Sequence, residues 1–66
     1  MKIRRRNNGN WCMEHNGVEA PYEVVCHTDD KFTVLDLDDE AGEHPIAHLE
    51  SRERAEALTS QHFQSN

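Results

Sequence analysis

Long apolar runs are absent from this sequence. No more than three apolar residues stand in a row, at positions 11–13 and 24–26. A membrane helix needs about 20, and no apolar core of a secretory leader is visible either. The start Met-Lys-Ile-Arg-Arg-Arg passes directly into patterned sequence, so a cytoplasmic protein is expected. Cysteine is scarce too: Cys12 and Cys26 stand alone, too few for a disulfide framework, and in a reducing cytosol they are expected as free thiols. Basic residues number seven against thirteen acids, a net charge of −6. A general nucleic-acid binder is usually basic, so that class is disfavoured.

The chain is also short. Sixty-six residues make one domain, 1–66, near the lower limit for independent folding. Little room is left for a pocket of the roughly 300–1,000 Å³ that small-molecule sites use. A non-enzymatic binding surface is expected in place of an active site, with no cofactor.

What is present is strand signal. Residues 22–26 (Tyr-Glu-Val-Val-Cys) and 32–37 (Phe-Thr-Val-Leu-Asp-Leu) are rich in β-branched and aromatic side chains and flank the polar turn Thr28-Asp29-Asp30-Lys31. This predicts an antiparallel hairpin. Before it, residues 3–6 and 11–15 read as strands joined by Asn7-Asn8-Gly9-Asn10, and Asn16-Gly17 repeats the turn signal. In residues 11–15, Trp11, Met13 and His15 alternate with Cys12 and Glu14. Residues 18–21 lead into the central hairpin, with Pro21 at a strand start or edge.

After Leu37 a polar connection containing Gly42 and Pro45 precedes a short strand at 46–49. Ser51 is a suitable helix N-cap, and Ala55, Leu58, Thr59 and His62 fall at helical spacing. The predicted fold is α+β: a small antiparallel meander of four to five strands, with one C-terminal helix on one face. That helix runs to about Phe63, residues 63–66 fray, and Leu58 supplies its main contact. The expected core is Ile3, Trp11, Val18, Tyr22, Val24, Val25, Phe32, Val34, Leu35, Leu37, Ile46, Leu49, Leu58 and Phe63. The sheet face away from the helix is the expected seat of function.

Few residues suggest chemistry. Cys12, His15, Cys26 and His27 are permissible zinc ligands, but their spacing matches no finger pattern. Along extended strands Cys12 and His15 point apart, as do Cys26 and His27, so no metal is expected. The same divergence argues against a Cys–His nucleophile, which also lacks an orienting third group. The acids after residue 35 do not follow the calcium-loop pattern.

Charge is distributed unevenly. Lys2, Arg4, Arg5 and Arg6 give residues 1–11 a charge of +4, whereas residues 29–56 carry ten acids against Lys31, Arg52 and Arg54, a net −7. The expected partner surface joins Asp29 and Asp30 at the hairpin tip to Asp36, Asp38, Asp39, Glu40 and Glu43. Asp36 and Asp38 stand about 6.7 Å apart by strand rise, and Tyr22, Phe32 or Trp11 is the aromatic anchor. The alternative is a DNA-binding accessory or adaptor acting through Arg4, Arg5, Arg6 and Trp11. The stretch Arg4-Arg5-Arg6-Asn-Asn-Gly-Asn-Trp11 resembles the first hairpin of the arm-type DNA-binding domains of phage integrases, which also set a small sheet against one C-terminal helix.

A second resemblance is at the level of class. A short acidic chain of meandering strands ending in Ser-Arg-Glu-Arg-Ala-Glu-Ala-Leu looks like small phage and prophage accessory proteins, including anti-CRISPR inhibitors. That resemblance implies a phage-derived inhibitor docking on a basic surface of a nucleic-acid-handling complex in the host cytoplasm.

Overall fold

Hairpins between neighbouring strands account for the entire sheet. The computed structural model describes residues 1–38 and 45–65, and its order is β1(Lys2–Arg5), β2(Trp11–His15), β3(Val18–Thr28), β4(Lys31–Asp36), β5(Ala47–Glu50) and α1(Arg52–Ser65). The five strands pair antiparallel in sequence order. The α+β meander with one C-terminal helix is therefore what the chain forms.

Turn chemistry differs between the two Asn-Gly sites. Asn16 and Gly17 both take positive φ, 54° and 81°, the signature of a tight two-residue hairpin turn. At the first site only Gly9 does, at 92°. Gly9 N–H donates to Arg6 O at 2.9 Å and Arg6 N–H to Asn10 O at 2.6 Å, so the connection is a wider turn closed by a glycine bulge. Pro21 lies within a continuous β3, not at its start. Its carbonyl accepts from Leu37 N–H at 3.1 Å, but it has no amide proton to return, and the β3–β4 ladder ends there.

The core follows the even positions of β3 and β4. Ala20, Tyr22, Val24, Phe32 and Val34 gather with Ile3, Met13, Ala47 and Ala55 into one buried cluster. Several expected core residues lie elsewhere. Val18, Val25, Leu37 and Leu49 are exposed and Leu35 is half-buried: period-2 alternation or the bulge in β5 turns the last four from the helix, whereas Val18 is the first residue of β3, at the end of the strand. Met13, Ala20, Ala47, Ala55 and Thr59 take their places.

The helix is capped by Ser51, whose Oγ accepts from Arg54 N–H at 3.2 Å. Ala55 and Thr59 are fully buried while Leu58 is half-buried, so small residues press α1 to the sheet and the large one sits to the side. Thr59 returns its hydroxyl to Ala55 O at 2.8 Å, which leaves no polar group unpaired against the core. The helix continues through Ser65, beyond the fraying expected from residue 63. Phe63 holds the last turn, its ring 5.0 Å from His15 and 6.3 Å from Tyr22.

Helix side chains also close the free edge of β1. Ile3 N–H donates to Glu56 Oε2 at 2.8 Å, and Ile3 O accepts from Arg52 Nη1 at 3.4 Å. Arg52 follows β5 by only two residues, so the curl of the sheet brings its two edges near each other at this end.

Candidate functional site: an acidic cleft at the end of the central hairpin

Tyr22 and Asp36 are direct partners across β3 and β4, so their side chains share the helix face. There α1 brings His62 to both. The Tyr22 hydroxyl lies 2.9 Å from His62 Nδ1, and His62 Nε2 lies 3.6 Å from Asp36 Oδ2. A ring nitrogen facing a carboxylate is favoured as N–H, which leaves Nδ1 as the acceptor of the phenol proton. Asp36 is fixed from its other oxygen, since Oδ1 accepts from Asp38 N–H at 2.9 Å. This is an Asx turn that starts the exit from β4.

Pro21, Tyr22, Asp36, Asp38 and Phe63 line a cleft of about 530 Å³. The chain thus makes a concavity of a size that its length argued against. Its walls are aromatic and prolyl, its charges are carboxylates, and among the described residues neither lysine nor arginine lines it. Burial first, then the negative charges of Asp36 and Asp38, push the Tyr22 phenol above its ordinary value of 10.0. The phenol therefore stays protonated as a hydrogen-bond donor and is a poor nucleophile at neutral pH.

The expected acidic surface is divided. Asp36, Asp38 and Tyr22 come together in the cleft, and Asp39, Glu40 and Glu43 lie outside the described residues. Asp29 and Asp30 sit at the opposite end of the β3–β4 hairpin, about 20 Å away by strand rise. The two other expected anchors lie away from this cleft. Phe32 is fully buried, and Trp11 is half-buried edge-to-face on Phe32, with ring centroids 5.5 Å apart. All three candidate aromatics face the helix, not the open sheet face.

Arg4, Arg5, Arg6 and Arg52 are engaged within the chain. Glu14 and Glu19 oppose each other across β2 and β3, a repulsive pairing. Arg4 answers Glu14 at 3.3 Å and Arg6 pairs with Glu19. Arg5 lies over the Trp11 ring at 5.9 Å, with Arg52 at 5.5 Å. The first hairpin thus uses its arginines to offset the acids of β2 and β3 and to cover its tryptophan.

The candidate zinc ligands are separate. Cys26 packs against the core while His27 is exposed, and His15 stacks on Phe63. Among the described residues no three His, Cys, Asp or Glu side chains converge, and no helix is long and apolar enough to cross a membrane. His62 and Phe63 are the site residues that sequence reasoning missed. Helical spacing marked His62 only as part of the apolar stripe, and nothing local ties residue 62 to residue 22.

No known protein family, curated protein or solved structure matches this chain.

Proposed function

We propose that this chain is a non-enzymatic binding protein that docks on a basic protein surface, with the Asp36–Asp38 cleft receiving a lysine or arginine side chain. The observation that carries the reading is the convergence of two carboxylates on an aromatic-walled cleft that, among the described residues, holds no internal lysine or arginine. A guanidinium or ammonium group entering there meets two carboxylates and the half-buried Phe63 ring, combining charge pairing with cation–π contact. Single exposed ion pairs contribute about 0–1 kcal/mol, so apolar contact with Pro21 and Phe63 supplies the remainder. In its most specific form, the partner is a nucleic-acid-handling complex in the host cytoplasm. The chain is then a phage-derived inhibitor of the anti-CRISPR type that occupies a groove kept basic for phosphates.

The test is affinity capture from bacterial lysate with mass spectrometry, comparing the native chain with Asp38→Lys. That substitution reverses a charge in the cleft and leaves the His62 contact of Asp36 in place. The reading expects a basic nucleic-acid-binding protein to be captured, released by salt and lost with the folded variant. Equal capture by both chains removes the cleft from the interaction.

A further inference from the structure

On the sheet face away from α1, two histidines 21 residues apart in sequence meet over one hydroxyl. Thr33 Oγ1, on the middle strand of the three, lies 2.8 Å from His27 Nε2 and 3.3 Å from His48 Nδ1. The ring centroids are 6.5 Å apart at 81°. Both rings are exposed, whereas Thr33 is 8% exposed. The arrangement depends on β5: between its pairings with Phe32 and Val34 it holds one extra residue. Leu49 takes φ 53° there, and its N–H donates to Thr33 Oγ1 at 3.3 Å. This bulge sets the position from which His48 reaches Thr33.

The hydroxyl has one proton and two lone pairs, and one lone pair is taken by Leu49. It can therefore donate to one ring and accept from the other. Two imidazole nitrogens aimed at a common point from the strands on either side of β4 supply a pair of the nitrogen donors that divalent transition ions favour. We propose that His27 Nε2 and His48 Nδ1 form a labile two-histidine site for Cu²⁺ or Zn²⁺ on this face. The Thr33 hydroxyl lies beside the ion as an oxygen donor or orienting partner, and water fills the remaining positions. Binding needs both facing nitrogens as lone pairs, so the donating ring moves its proton to its other nitrogen.

The distances allow this. An ion held at 2.0–2.1 Å from two imidazole nitrogens in tetrahedral geometry sets ring centroids about 5 Å apart. The rings thus need to approach by about 1 Å, a small side-chain rotation for exposed groups. Sequence spacing hides this pairing, because His27 and His48 stand 21 residues apart with no local motif joining them.

The test is titration of the intact reduced chain with Zn²⁺, Cu²⁺ and Mg²⁺ by calorimetry, with histidine C–H resonances followed during the Zn²⁺ titration. One ion per chain is expected, with Cu²⁺ tighter than Zn²⁺ and no response to Mg²⁺. The His27 and His48 resonances should shift together while those of His15 and His62 stay in place. His27→Ala and His48→Ala should each weaken binding by at least about tenfold. Failure to saturate with either transition ion overturns the site, as does binding that survives either substitution. If a variant unfolds by circular dichroism, the paired resonance shifts in the unaltered chain decide.

Discussion

The Tyr22 hydroxyl donates to Nδ1 of His62 at 2.9 Å across a sequence separation of 40 residues. That bond ties the end of the helix to the middle of the sheet and places the only tyrosine of the chain beside Asp36 and Asp38.

The position of Tyr22 has a pH consequence. Its phenol is held above 10.0 by burial and then by the two carboxylates, so the folded state favours the protonated form more than the unfolded state does. The resulting stability is fully present below the ordinary value and is lost as pH rises through the higher folded one. Ultraviolet titration should show phenolate forming later in the native chain than in urea. Tyr22→Phe should cost about 1 kcal/mol for the lost hydrogen bond and flatten the alkaline decline in melting temperature. Coincident native and denatured titrations would refute the account.

Helix docking should be sensitive to size at Ala55. With that residue fully enclosed, Ala55→Leu has nowhere to place three extra carbons and should destabilise by about 1–3 kcal/mol. Leu58→Ala, at a half-buried position, should cost less than the roughly 2–5 kcal/mol of a full core truncation. Urea denaturation of the two variants gives the ordering, and a larger loss at Leu58 would mean the helix face is misassigned.

Leu49 carries strain that a smaller residue relieves. A left-handed backbone costs a residue with a Cβ roughly 1–2 kcal/mol, and Leu49 is 46% exposed, so little apolar burial offsets it. Leu49→Gly should raise the denaturation midpoint by the equivalent of about 0.5–1 kcal/mol once glycine's greater unfolded-state freedom is deducted. A lowered midpoint would show that the leucine side chain stabilises the bulge.

Nucleic acid should not bind through the first hairpin. Arg4 and Arg6 are matched by Glu14 and Glu19, so a gel shift at low salt with double-stranded DNA or single-stranded RNA is expected to show free probe. A salt-sensitive shift lost in Arg5→Ala would restore the integrase-like reading.

Much of the fold is legible because antiparallel strands declare themselves locally. Alternation at Tyr22, Val24, Phe32 and Val34, the Asn16-Gly17 turn and the Ser51 cap are all set by neighbours within a few residues. The misses are non-local. Curl and alternation decide that Val18, Val25, Leu37 and Leu49 are exposed while Ala20 and Ala47 are buried, and alternation alone does not say which face meets the helix. The site was half visible for the same reason. Charge and spacing mark Asp36 and Asp38, but their shared cleft with Tyr22 and Phe63 depends on where the last helical turn lands. Charge alone links Asp29 and Asp30 to that pair, and the length of the hairpin separates them.

The clasp of Ile3 by Glu56 and Arg52 also bears on the order in which the chain assembles. Each hairpin closes a short loop, whereas joining Ile3 to Glu56 spans 53 residues. Contacts between distant residues are the slow ones to form, since the intervening chain must be ordered before they can contribute. The meander is therefore expected to form first as a row of local hairpins, and the helix to lock the outermost strand last. Before that final step the Ile3 edge stands unprotected, so the interval before locking is when one molecule is most exposed to pairing with another.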